Sequence, residues 1–165
     1  MQASLVAMDS VSLLRHTLAT LAYRPLRAVH PAPPGFAEFP AAAGARSAGE
    51  ILAHMCDLLD WAARSLAGDK SWQEIPSAGW DADKDRFFAA LTQFDLALQQ
   101  QEATVPDGLA QRLFQGPIAD ALTHVGQLSQ LRRLAGAPVK PENYFVADII
   151  PGRTTSIQPP PRRTF

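Results

Sequence analysis

The stretch Ser47–Leu66, SAGEILAHMCDLLDWAARSL, reads as a helix from end to end, and it decides the fold class. Its opening Ser-Ala-Gly-Glu is a capping box: the serine hydroxyl accepts an amide proton of the first turn while the Glu50 carboxylate reaches back. Ile51, Met55, Leu58, Leu59, Ala62 and Leu66 then recur at the spacing of one helix face. That face is apolar and needs a partner. Gly68 is a natural stop.

Outward from this helix, the prolines draw the map. The chain has 14 of them in 165 residues, and none falls in 1–24, 41–75, 77–105 or 118–137. Helices can run uninterrupted in those windows. In the first, Leu14, Leu18, Leu21 and Ala22 share a face, Asp9 or Ser10 serves as cap, and Pro25 ends or kinks the helix. His30 to Ala45, rich in Pro, Ala and Gly, reads as a long connection. A third helix begins near Asp81, buries Phe87, Leu91, Phe94 and Leu98, and fades through Gln99-Gln100-Gln101. The fourth starts at Pro117, a residue suited to the first helical position. Ile118, Ala121, Leu122, Val125 and Leu128 form its stripe, and Gly136 and Pro138 close it. Leu131 and Leu134 extend apolar character around this helix, which makes it the expected most buried of the four.

No strand-like alternation competes with these assignments. The expected architecture is all-α, a four-helix bundle over about residues 5–136, within one domain spanning 1–165. Residues 137–165 form an irregular, Pro- and Arg-rich extension with a short helix expected near Glu142–Ile149. Tyr144, Phe145, Ile149 and Ile150 give that extension apolar area with which to dock.

Composition narrows the function classes. Charged residues make up 19 % and the net charge is −1, so the chain lacks the basic field that holds nucleic acid by its phosphates. Arg132-Arg133 and Arg162-Arg163 read as solvated surface pairs. The single cysteine, Cys56, excludes an internal disulfide, fits a reducing compartment, and reads as a buried structural thiol. The N-terminus lacks the basic start of a signal peptide, and no run approaches the length of a membrane span. A cytoplasmic protein is expected.

The chemistry concentrates in His54, Asp120 and His124. Asp120 and His124 are one helical turn apart and share a face; His54 lies on the flank of the Ser47–Leu66 stripe. A bundle that sets the two helices opposite each other yields two imidazoles and one carboxylate, a facial donor set for a divalent transition metal with positions open for water or substrate. Glu50, Asp57 and Trp61 lie on the same side of the helix as His54, which makes Glu50 and Asp57 candidates for a general base and Trp61 a candidate pocket wall. Gln127 shares a face with Asp120 and His124 and is placed to support a ligand. Tyr144 joins the pocket if the C-terminal extension folds back over it. His16 is placed to face the bundle, and His30 to face solvent. There is no phosphate loop, dinucleotide fingerprint or Cys-x-x-Cys pair. Ala45-Arg46-Ser47-Ala48-Gly49 lacks the first glycine of a hydrolase elbow and follows a loop, so Ser47 is a helix cap.

The stretch Asp120–Arg132, DALTHVGQLSQLR, resembles the last core helix of the DinB/YfiT-like superfamily, in which two histidines four apart precede Gly-Gln-Leu and Leu-Arg. Ile51-Leu52-Ala53-His54-Met55-Cys56-Asp57 resembles the helix that carries its first metal-binding histidine. The resemblance implies a four-helix bundle that binds nickel, zinc or a similar ion through three histidines. It also implies membership among metal-dependent hydrolases or thiol-dependent transferases acting on a small molecule, and a homodimer. By this likeness His54 is the first ligand and His124 the third. Asp120 stands where the family has its second histidine. Its harder, negatively charged donor favours zinc, manganese or iron over nickel and makes a bound water less acidic. Val125, where arginine is common in the family, is a second departure. The alternative expectation is a non-catalytic bundle, with a decayed metal site, that dimerises or binds a partner.

Overall fold

The computed structural model describes residues 9–101 and 105–165. The expected bundle start near residue 5, and the first residues on which the signal-peptide reading rests, lie outside that range.

Local chemistry explains where the helices begin and end. Asp9 caps α1 (Ser10–Tyr23), its Oδ1 accepting the Ser12 amide at 2.7 Å. Pro25 interrupts the chain, and a single turn, α2 (Leu26–Val29), follows. At the start of α3 (Ala48–Leu66) the capping box is complete. Ser47 Oγ accepts the Glu50 amide at 3.3 Å, and Glu50 Oε2 accepts the Ser47 amide at 2.7 Å. The helix ends in a Schellman motif, with Gly68 at φ 89° and the Gly68 and Asp69 amides donating to Ser65 and Arg64 carbonyls. α4 (Trp80–Gln99) buries Phe87, Leu91, Phe94 and Leu98 completely.

The last helical stretch departs from expectation. It begins at α5 (Asp107–Leu113), ten residues before Pro117, passes through a π turn at Phe114–Ile118 and continues as α6 (Ala119–Leu134). Pro117 therefore lies inside the helix and does not start it. A proline in an α-helix lacks the amide for the ladder and collides with the carbonyl one turn back; the wider π turn relieves both demands.

α3 packs most extensively on α4 and also against α6, while α1 packs on α4 and on α5. α3, not α6, is the most buried helix. α6 leaves Leu134 52 % exposed, because the core meets only the face carrying Ala121, Val125, Leu128 and Leu131. The 30–45 connection lies over the open end of the bundle. Its Phe36 meets Trp80 edge-on at 5.3 Å, and its Ala37 carbonyl accepts the Gly49 amide at 2.7 Å. A Cβ at Gly49 would stand 3.0 Å from that oxygen, tighter than an ordinary contact, so a larger residue there would press on the connection's backbone.

Arg132 also corrects the sequence reading. It is buried, donates to the Ala137 carbonyl at 2.8 Å and to the Pro31 carbonyl, and lies over the Phe36 ring. Burial lowers its pKa from the usual arginine value. Carbonyls freed where α6 ends, and where the connection turns, supply acceptors that a solvated pair would have found in water.

The C-terminal extension docks on the α1–α4 side through polar contacts. Glu142 accepts the Tyr23 hydroxyl at 2.5 Å and pairs with Arg27 at 2.8 Å. Tyr144 meets Tyr23 edge-on beneath the Arg24 guanidinium, and Thr154 bonds Thr92. Of the four residues expected to dock, Tyr144 packs on Tyr23 and Ile149 is half-buried, whereas Phe145, 98 % exposed, and Ile150 face solvent. The expected Glu142–Ile149 helix is reduced to one 3₁₀ turn, Tyr144–Val146, and Asn143 caps it. No helix among the described residues is long and apolar enough to cross a membrane.

Candidate metal centre

α3 and α6 bring His54, Asp120 and His124 together. Asp120 lies between the two imidazoles, with Oδ2 3.4 Å from His54 Nε2 and Oδ1 3.5 Å from His124 Nε2. The rings stand edge to face with centroids 5.1 Å apart. One donor atom from each residue lies within 4.8 Å of the others, close enough to hold a metal ion. An ion about 2.1 Å from each donor would set donors about 3.0 Å apart at adjacent octahedral positions and about 3.4 Å apart in a tetrahedron. The two Asp–His distances are close to the tetrahedral value but run to different oxygens of Asp120. The set of one donor per residue, within 4.8 Å, is wider than either geometry, so the side chains would draw in around an ion.

Helix geometry accounts for each side chain. The four-residue spacing stacks Asp120 below His124. The π turn immediately before Ala119 is where α6 is launched, so the distortion at Pro117 sits one residue from the first turn that carries Asp120. Gln127 lies three residues beyond His124, with its Oε1 2.7 Å from His124 Nδ1. A side-chain carbonyl can only accept, so this contact places the proton on Nδ1 and leaves the Nε2 lone pair facing Asp120. His124 is buried, His54 half-buried, and Asp120 45 % exposed in its side chain, which leaves the centre open on the carboxylate side.

That side opens into a cleft of about 650 Å³ bordered by Trp61, Trp72, Arg112, Gln115, Asp120 and Thr123. Trp61 reaches the cleft from α3 and donates its indole N–H to the Lys70 carbonyl at 3.0 Å. Arg64 holds Asp69 at 2.6 Å and Ser71 Oγ at 3.2 Å. These ties pin the start of the α3–α4 loop and set Trp72 beside His54, with ring centroids 6.0 Å apart. Behind His124 lies a second cavity of about 370 Å³, bordered by Arg46, Ile51, Gln127 and Gln130.

The structure does not bring the other sequence candidates to the centre. The Glu50 carboxylate is spent on the capping box, and its hydrogen bonds from Ser47 lower its pKa. Asp57 is buried against α4, where Arg86 bonds its Oδ1 and the Ile75 amide approaches it. Both share a broad side of α3 with His54, but each is committed to a different neighbour. Tyr144 packs on Tyr23 and Arg24 of α1, on the other side of the bundle. His16 is exposed and not turned inward; His30 is exposed, as expected, near Lys84.

Trp72, Arg112, Gln115 and Thr123 escaped the sequence reading. Trp72 sits in a loop without periodicity. Arg112 and Gln115 lie upstream of Pro117, outside the helix that its local signal marks. Leu109, Ala110 and Leu113 continue the helical apolar spacing upstream and were the signal for a longer helix.

Comparison with family models, curated proteins and solved structures finds no match to the chain.

Proposed function

We propose that this chain is a DinB/YfiT-like metal-dependent enzyme. It holds one divalent transition metal, zinc, manganese, iron or nickel, with His54, Asp120 and His124, and acts on a small molecule as a hydrolase or thiol-dependent transferase. The observation that carries this reading is the convergence of three donors from α3 and α6, with the rear nitrogen of His124 engaged by Gln127. The donor set suits such an ion: two neutral imidazoles and one carboxylate, with no ammonium or guanidinium among them. The likeness of the two histidine-bearing helices to those of the superfamily supports the same reading, including its homodimer.

When bound, such an ion supplies Lewis-acid chemistry towards a substrate oxygen or sulfur and makes water easier to deprotonate. The chain's own residues do the rest. Gln127 holds the His124 ring and its tautomer. Asp120 lowers the net charge of the centre by one relative to a third imidazole. Its exposed edge leaves the approach from the cleft open, while Thr123 and Gln115 offer a hydroxyl and an amide to a substrate there. Glu50 and Asp57 are too committed elsewhere to move a proton at this centre.

Elemental analysis of protein purified from metal-replete culture tests the reading. One ion per chain is expected, lost in both His54→Ala and His124→Ala. Metal-free wild-type protein whose melting temperature is unmoved by added zinc, nickel or manganese would overturn it in favour of a non-catalytic bundle.

A further inference from the structure

We propose that the cleft beside the centre binds a small aromatic carboxylate, whose acid group pairs with Arg112 and whose ring packs on Trp61 and Trp72. This substrate class rests on the reading of His54, Asp120 and His124 as a metal centre.

Charge comes first. Arg15, Arg27, Arg64, Arg86, Arg153 and Arg162 each pair with a carboxylate. Arg112 is exposed and, like Arg24, Arg46, Arg133 and Arg163, shows no carboxylate partner among the described side chains; it is the arginine of that group that borders this cleft. Among the described residues, the one carboxylate bordering the cleft is Asp120, which faces the two histidines. Lys70 borders an adjoining hollow together with Trp61 and Arg112, adding positive charge on the same side. An anionic group entering the cleft therefore meets an available guanidinium at one end.

Shape and polarity name the rest of the ligand. Leu58, Trp61, Trp72 and Pro117 make most of the wall apolar. Trp72 is 44 % exposed, although its loop is held by Arg64 and by the Lys70 carbonyl, so a large ring is kept in water beside His54. Two indoles suit a flat aromatic body, which they contact by offset or edge-on packing. The volume lies within the range of small-molecule pockets. A single planar guanidinium matches the two oxygens of a carboxylate. A phosphate would ordinarily also draw on a helix N-terminus or a run of backbone amides, and Arg112 lies within a helix.

Calorimetric titration of the full-length chain with 2-naphthoate and its neutral counterpart 2-naphthamide tests this, on chelator-treated and on zinc-supplied protein. The acid is expected to bind about tenfold more tightly than the amide in both forms, the worth of one charged hydrogen-bonded pair. Arg112→Gln should abolish that preference, Arg112→Lys restore part of it, and Trp72→Ala weaken both ligands. Arg112 and Trp72 are exposed or partly exposed, so unchanged circular dichroism is expected for all three variants. Equal binding of acid and amide, no binding of either, or a preference that survives Arg112→Gln would overturn the proposal. A preference seen only with zinc would also do so, by placing the acid on the metal. Zinc titrated alone reports separately on the centre: its failure to bind would remove the metal reading, while an Arg112-dependent preference for the acid would still stand.

Discussion

Gln127 holds the rear nitrogen of His124, its Oε1 2.7 Å from Nδ1, and so decides which face of the imidazole meets Asp120. The same residue borders the cavity behind His124 and is itself exposed, so its amide is available for the histidine without a structural role in the core.

Gln127→Ala is therefore expected to lower zinc affinity by about 10- to 100-fold, the usual effect of removing a partner that orients a metal-binding histidine. Thermal stability without metal should change little, because the side chain lies outside the core. Calorimetric zinc titration beside a melting curve in chelator checks both halves. An unaltered affinity would show that His124 is oriented by packing alone.

Glu50→Gln separates a capping role from a catalytic one. Zinc affinity should be unchanged. The lowered pKa of Glu50 means that its contribution to stability is present above the ordinary carboxylate value and is lost as pH falls through the lower folded value. The difference in melting temperature between wild type and variant should therefore shrink on acidification. A loss of metal binding in this variant would return Glu50 to the centre.

Arg86 anchors a buried acidic cluster. It bonds Asp57 and approaches Asp60 at 3.7 Å and Asp83 at 4.0 Å, and Asp57 and Asp83 are nearly inaccessible. Arg86→Met leaves these carboxylates without their cation and should cost about 3–5 kcal/mol. Burial already raises the pKa of Asp60, so this carboxylate can take up a proton and the loss should be smaller in mild acid. Urea denaturation at neutral and acidic pH measures both effects.

Cys56 is enclosed between α3 and α4, its Sγ directed at the Asp83 carbonyl at 3.3 Å. Burial, reinforced by nearby carboxylates against the opposing Arg86 charge, pushes its pKa from 9.0 to about 12. The folded state thus holds this proton more tightly than the unfolded chain. Its contribution is complete below pH 9.0 and is lost as pH rises towards about 12. A thiol reagent should label Cys56 slowly at neutral pH and fast in denaturant, and Cys56→Ala should flatten the alkaline fall in stability. Rapid labelling of the folded protein would contradict this burial.

Much of the fold was legible because helix signals are local. Periodicity found the stripes of α1, α3 and α4, and short polar side chains marked the caps at Asp9 and Ser47. The start of the last helix is ambiguous in the sequence because Pro117 satisfies two local rules at once: it suits a first helical position, and it is tolerated in a π turn. Packing of α5 against α1 selects the second. The burial of Arg132 is illegible for a related reason, since its acceptors lie at Ala137 and on Pro31, the latter far away in sequence.

The sequence by itself determined that the chain is helical, that Asp120 and His124 share a face, and that Glu50 has a cap to complete. Each follows from a repeat of three or four residues. Only the tertiary structure decided that His54 opposes that pair, that Asp57 turns to Arg86 instead, and that Arg112 and Trp72 border the same cleft. Those outcomes depend on which helix lies beside which and at what rotation. Such choices are made by side chains distant in sequence competing for one core, and no local spacing records them.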